Sequence, residues 1–383
     1  MGLLRRDRRE VSEERSTFTF QQLGAMVASS SAGAVVTDVD RALFDAATWA
    51  CIDVLASSVS SLPLDAVRQQ GAVRVPVTPE PSLLSAPSGI VTLDVWLYQL
   101  MWSLLADGNA FGVVTGVDGM GRPTSIELVD PSVVTNRTVT DGRPSVSVDG
   151  GGPEPLYPVG RIWHVPGKMT RPGSPFGLSP VVHAGRSTGT SLAVQRFAGD
   201  FFTDNAHPIW KISSDRELTA EQAADVKAMV GRARQSREPM VFGAGLSMDP
   251  TSADLETTQY LDLLRFEVEQ TCRFFRVPPS MIYGAVSGQS VTYANVSQAD
   301  LAYLKHSLDG YLVRIERALT ECLPRPQVVK FNRDALLRSD TLTRYQAHEV
   351  AISSGFLTID EVRELEDRPP LPDDEGGPSG PSD

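Results

Sequence analysis

The chain has 383 residues, a net charge of −12, 41% hydrophobic and 21% charged residues, the profile of a globular protein of two or three modules with a sizeable core. So acidic a balance argues against a protein that coats nucleic acid by neutralising phosphates, and leaves open one that lets nucleic acid slide past without sticking. No apolar run approaches the ~18 residues of a membrane span, and the first fifteen residues mix five arginines with four acids where a signal peptide is apolar, so a protein made and used in the cytoplasm, with no membrane partner, is expected.

Residues 1–39 read as a flexible N-terminal arm, charged and then Ser/Ala/Gly-rich. From about Asp40 to Ser61 the pattern predicts a helix with Ile52, Leu55, Ala56 and Val59 on its buried side. Leu62 to Val67 reads as a strand entered through Pro63. Residues 76–91 are Pro-rich and irregular. A second helix carries Leu93, Trp96, Leu97, Leu100, Met101 and Leu104 on one face. Asp107 to Phe111 ends it and opens a strand, Ala110–Val117. Asp118 to Pro123 is a turn by composition, and Ser125–Val129 returns as the partner strand. Short strands and the turn at Gly150–Gly152 lead to Arg161–Val165, so residues 40–170 read as an α+β domain with meandering sheets.

Ser179-Pro180 opens a helix to about Asp204, with proline at its tolerated first position. Residues 207–250 then read as a small α/β insert. It holds a strand at Ile209–Ile212, a helix with Thr219 and Gln222 as a capping box, a strand at Met240–Phe242 and a Gly-rich turn. A second long helix follows, with Leu261, Leu264, Val268, Cys272 and Phe275 on its apolar face, so the insert sits at the end of a two-helix stalk. Val277-Pro278-Pro279 stops that helix, because proline lacks the amide and restricts the residue before it. Tyr283 to Tyr293 has no period and reads as a hinge loop. From Asn295, a good N-cap, a long helix carries Leu301, Leu304, Leu308, Leu312, Ile315 and Leu319 on one stripe. Val328–Phe331 is a strand, a helix runs from Ser339-Asp340 to Gly355, and Thr358 with Glu361 caps a short helix stopped by Pro369-Pro370.

The chemistry of catalysis is largely missing. Gly116, Gly119 and Gly121 lie on a turn, without the lysine of a phosphate loop. The five histidines show no metal-ligand spacing, and His164 on an apolar strand reads as a core histidine. Cys51, Cys272 and Cys322 read as free core thiols. Asp249, Asp254 and Glu256 fit a helix N-terminus or, alternatively, a metal-dependent nuclease. Residues 249–276 carry six acids against three arginines, either as a solvated face or as the acidic lining of a hole. Arg273-Phe274-Phe275-Arg276 offers a stacking platform for single strands or a packing surface. No cofactor and no enzymatic activity are expected.

In their order, several stretches resemble the portal proteins of tailed double-stranded DNA phages, in the siphovirus-type branch. These are Trp49 to Leu64, Leu105-Ala-Asp-Gly-Asn-Ala-Phe111, Gly177-Leu-Ser-Pro180 with Phe201 to Pro208, Arg273-Phe-Phe-Arg-Val-Pro-Pro279 with Tyr293-Ala-Asn295, and Gly355 to Arg363 with Pro369-Pro370. The resemblance covers about residues 40–375. It implies an α+β portal-type fold: a wing (40–178), a first stem helix (179–205), a clip (206–252), a second stem helix (253–279), a tunnel loop (280–295), a long helix with the second part of the wing (296–338), short crown helices (339–370) and a disordered acidic tail (371–383). It further implies a ring, usually of twelve copies, at one capsid vertex of the virion, assembled in the host cytoplasm. Double-stranded DNA passes through such a ring, with the terminase large subunit, the head–tail adaptor and the major capsid protein as partners. In those terms Ala285, Val286, Ser287, Gly288, Gln289, Ser290 and Val291 face the DNA, and Asp254, Asp262 and Glu269 line the channel. Pro278 and Pro279 form the hinge, and Glu221, Asp225 and Arg232 meet the clip's partner. The loop at 285–291 is small and uncharged, as a sliding contact favours, and is expected to act as a one-way valve.

Overall fold

A computed structural model describes residues 35–71, 73–140, 142–203, 209–214, 219–236, 246–251, 257–282, 293–336, 341–366, 368–369 and 371. The single-turn α1 (Val39–Ala42) is capped by Asp38, which accepts from the Asp40 amide at 3.1 Å. A break at Leu43–Asp45 separates it from α2 (Ala46–Ser60). The helix expected from Asp40 is therefore two, because Asp45 accepts from the Thr48 amide at 3.0 Å and its hydroxyl at 2.8 Å, an N-cap geometry that restarts the helix. Then follow β1 (Leu64–Gln70), β2 (Val73–Pro76), the one-turn α3 (Ser82–Ser85) inside the Pro-rich stretch, and α4 (Leu93–Ala106). The strands β3 (Asn109–Val117), β4 (Pro123–Val129), β5 (Val134–Thr140), β6 (Arg143–Val148), β7 (Glu154–Pro155) and β8 (Ile162–Pro166) lead to the long α5 (Pro180–Thr203).

Next come β9 (Ile209–Ser214), α6 (Ala220–Ser236), β10 (Leu246–Thr251), α7 (Thr257–Phe275) and α8 (Tyr293–Tyr303). A π-helical turn at Leu304–Leu308 joins α8 to α9 (Asp309–Thr320), and β11 (Gln327–Phe331), α10 (Thr341–Ser353) and α11 (Ile359–Leu365) are the last of the described elements. The long helix thus starts at Tyr293, two residues before Asn295. The strand expected at Met240–Phe242 lies outside the described residues; among the described residues the partner of β9 is β10.

The chain divides into two compact units. One comprises Ile52–Ser179, Arg276–Pro278 and Val286–Asp383; the other comprises Met1–Cys51, Pro180–Phe275 and Pro279–Ala285. In the larger unit three antiparallel sheets, ordered β11-β1-β2, β4-β3-β8 and β5-β6-β7, form an α+β body. Phe111, Val134, Val146, Leu156 and Ile162 make a core between the last two sheets. Trp96 of α4 lies 5.6 Å from Trp163 of β8 and donates to the Ile126 carbonyl at 2.9 Å, while Trp163 donates to the Ala318 carbonyl of α9 at 3.2 Å. Each buried indole thereby keeps its N–H bonded. Glu316 of α9 is 3% exposed. It accepts from Lys330 and Arg333, both at 2.7 Å, and from the Phe331 amide at 3.1 Å, so the buried carboxylate is fully paired.

In the smaller unit α5 packs along α7, and α1 packs on α5. The described part of the insert is a two-stranded antiparallel sheet, β9–β10, with α6.

Candidate functional site

The β body closes at one tight knot. Gly108 has φ +82° and Gly177 lies against its carbonyl, so a Cβ at Gly177 would land on the Gly108 oxygen and one at Gly108 on that of Leu178. Only glycine fits at both. Between them Asn109 accepts from the Gly177 amide at 2.7 Å and returns a bond to the Gly177 carbonyl at 3.1 Å. Its acceptor oxygen also lies 3.1 Å from His164 Nε2, which fixes the Nε2–H tautomer. His164 stacks on Phe111 at 4.8 Å, and burial with the nearby Arg137 charge pushes its pKa down to about 3, so it stays neutral. Arg137 holds Asp107 through two bonds of 2.8 and 3.0 Å. The Asp-Gly-Asn and Gly-Leu-Ser-Pro stretches are thus two halves of one joint.

The pair α5/α7 has a polar seam. Val181, Ala184, Thr188, Ser191 and Val194 form the buried stripe of α5; Glu267, Thr271, Cys272 and Phe275 form that of α7. Asp45, 1% exposed, accepts from Ser191 at 2.8 Å and Gln195 at 3.3 Å besides Thr48. Glu267, 6% exposed, accepts from Ser187 at 3.1 Å. Burial raises its pKa, the Ser187 bond opposes this, and Asp45 adds to the rise. Of the six acids counted on this segment, Glu267 therefore faces the helix pair and cannot belong to a solvated face. Cys51 and Cys272 adjoin here as free buried thiols, and the neighbouring sulfur together with burial pushes the Cys51 thiol up.

The opposite face of α7 is exposed and carries Asp262, Arg265, Phe266, Glu269 and Arg273. Asp262 pairs with Arg265 at 3.4 Å and Glu269 with Arg273 at 3.1 Å, so these two acids sit on a face whose charges balance. Phe275 is buried, which removes it from any stacking platform; Phe266 and Phe274 are about half exposed. Asp249 lies in β10 opposite Lys211. Asp254 and Glu256 lie outside the described residues, as do Ala285, Val286, Ser287, Gly288, Gln289, Ser290 and Val291.

In the insert, Thr219 and Gln222 exchange the two bonds of a capping box, at 3.1 and 3.4 Å. Glu221 and Asp225, four residues apart, are exposed on one face of α6, and Arg232 lies on the same helix.

At the hinge, Arg276 has φ +57°, a left-handed residue that ends α7, and Pro279 starts a 3₁₀ turn, Pro279–Ile282. The long helix departs from expectation. Leu304, Leu308, Leu312, Ile315 and Leu319 are buried as a stripe, but Leu301 is 54% exposed and Tyr303 is 3% exposed instead. The π turn supplies the reason: the Asp309 amide bonds Leu304, five residues back, and a wider turn shifts the phase of everything before it. Lys168, just after β8, donates to the carbonyls of Ser307 at 2.6 Å and His306 at 3.3 Å. The periodicity gave no sign of Lys168, Asp45 or the π turn.

The match to known proteins is extensive. The family model described as phage portal protein matches residues 46–367. The probable portal protein of Streptomyces phage phiC31 is 29% identical over 92% of this chain and 79% of its own length. The portal protein of Enterobacteria phage HK97 is 26% identical over 92% of this chain and 85% of its own. Among solved structures, an HK97-family phage portal protein from Corynebacterium diphtheriae aligns with TM-score 0.59 at 16% identity, over 80% of this chain and 98% of that one. A chain of a gene transfer agent neck, computed with C12 symmetry, aligns with TM-score 0.56 at 18% identity, over 85% and 90%. The chain belongs to the phage portal protein family.

Proposed function

We propose that copies of this chain form a ring at one capsid vertex, through whose axis double-stranded DNA enters during packaging and leaves at ejection. The observation that carries this reading is the family match, which runs unbroken from α2 to the last helix. A ring of twelve copies accords with the C12 symmetry of the gene transfer agent neck. In this reading α5 and α7 are the stem, β9, α6 and β10 the clip, the 285–291 segment the narrowest point, and α8–α9 the helix behind it. Asp254, Asp262 and Glu269 line the channel, Pro278 and Pro279 turn the chain from stem to constriction, and α10 and α11 form a short crown.

The wall chemistry fits passage without grip. Each unpaired cation toward a duplex adds affinity by releasing counterions. On the exposed face of α7 both described arginines with partners are bound to Glu269 and Asp262, which mutes their pull on phosphate. Glu221, Asp225 and Arg232 meet the terminase large subunit and later the head–tail adaptor, and the body meets the major capsid protein. The protein acts as a conduit and supplies no catalytic group; the motor's ATPase is a separate chain. Negative-stain images of the purified full chain test the reading. Rings with a central hole are expected, and strict monomers at high concentration overturn it.

A further inference from the structure

The long helix carries two incompatible patterns. Leu301, Leu304 and Leu308, at steps of three and four, continue the stripe of Leu312, Ile315 and Leu319, as an uninterrupted α-helix requires. The structure instead inserts a π turn, exposes Leu301 to 54% and buries Tyr303 to 3%. Tyr303 then lies with its hydroxyl 3.1 Å from that of Ser58. One sequence therefore serves two helix phases, and something must select between them.

The selecting contacts converge on the π turn. The Lys168 ammonium bonds two of its carbonyls, His306 and Ser307, and sits 4.6 Å from the centre of the Tyr311 ring. Gly310 leaves room for the lysine stem: a Cβ there would approach Lys168 Cε at 2.8 Å. Arg314 donates to the Lys168 carbonyl at 3.3 Å, which fixes the lysine's own backbone. Ser307 also donates its hydroxyl to the Arg276 carbonyl, so the same turn is tied to the left-handed residue that ends α7.

We propose that residues 293–308 form a two-register helix in which Lys168, acting as a positioning residue, holds the π register by bonding the carbonyls of His306 and Ser307. When Lys168 withdraws, the turn closes to α geometry, the preceding segment rotates about its axis, and Leu301 replaces Tyr303 against the body. Packed elements of this kind are bistable rather than continuously deformable, and π turns are frequent at functional sites. The inference goes beyond the portal reading, since it concerns a switch within one chain and stands whether or not rings form.

The charges around Lys168 make the latch sensitive to proton concentration. Burial, then Arg276, lowers its pKa to about 8, and Asp309 opposes them; Tyr311, pushed up to about 12 by burial, stays neutral. Raising the pH from 7 to 9.5 therefore discharges Lys168 and weakens its hold on the carbonyls.

The test is a structure, by crystallography or cryo-electron microscopy, of the full chain carrying Lys168→Met, with Lys168→Gln as the second variant and the unaltered chain at pH 9.5 as the third arm. The expected result is loss of the π turn at 304–308, with Leu301 buried and the Tyr303–Ser58 bond lost. A retained π turn with Leu301 exposed overturns the proposal, as does a turn that closes while Tyr303 stays buried. If neither variant folds, the structure at pH 9.5 decides by the same two features.

Discussion

The joint at Gly108 and Gly177 and the seam between α5 and α7 hold their chains by opposite means. The joint is a backbone fit: two glycines touch, Asn109 and His164 satisfy each other, and aromatic rings close the sides. The seam is held by polar side chains: the Ser187 hydroxyl of α5 bonds Glu267 of α7, and beside it the Ser191 and Thr48 hydroxyls and the Gln195 amide bond Asp45, with no cation in these bonds. Steric fits admit one arrangement, because no rotamer relieves a backbone clash. Hydroxyl donors rotate to suit their acceptors, so the seam tolerates small shifts of one helix along the other. Rigidity belongs to the body and adjustability to the helix pair.

The sharpest test of this contrast is Gly177→Ala, whose methyl strikes the Gly108 carbonyl. A loss of about 3 kcal/mol in urea unfolding is expected, with amide exchange accelerated across β3 and β8. Next in size is Asp45→Ala, which strips an acceptor from Ser191, Gln195 and Thr48. About 2 kcal/mol is expected, with exchange accelerated in α5 and α7 and little changed in β3. Equal acceleration of both regions by either variant would break the distinction.

The smallest effect is that of Glu267→Gln, followed by thermal unfolding against pH. Because the folded pKa is raised, the folded state binds more protons than the unfolded one above the ordinary carboxylate range, so stability falls as pH rises through that window. Glutamine removes this slope and raises the melting temperature at pH 7; an unchanged slope would show that Glu267 is not the group responsible.

The sequence yielded those features that repeat. The stripe of Trp96, Leu97, Leu100, Met101 and Leu104, the paired strands after Asp107, and both capping boxes follow from local pattern, and each is present. What stayed hidden depends on partners distant in the chain. β10 carries no strand signal because it contains Asp249 and Pro250, which argue against a strand; among the described residues it pairs on one side only, and proline is tolerated in an edge strand. Lys168 is a loop residue whose meaning lies in carbonyls some 140 positions on. The π turn was masked by Leu301, which fits the uninterrupted stripe so well that the pattern pointed the wrong way. Of the candidate site, Asp262, Glu269, Glu221 and Asp225 are exposed, and the pairing of the first two with Arg265 and Arg273 follows the i,i+3 and i,i+4 spacing of a helix face.

The three cysteines have a practical bearing. Cys51, Cys272 and Cys322 are all free and all buried, with the thiols of Cys51 and Cys322 pushed up, the latter to about 12, so that little thiolate forms on either. A thiol's reactivity follows its exposure and thiolate fraction; the Cys272 thiol, lowered by its bond with Cys51, is kept from reagents by burial alone. A single cysteine introduced at an exposed position such as Glu221 is then the one reactive handle per subunit. Dyes attached there count the copies in an assembly by their bleaching steps.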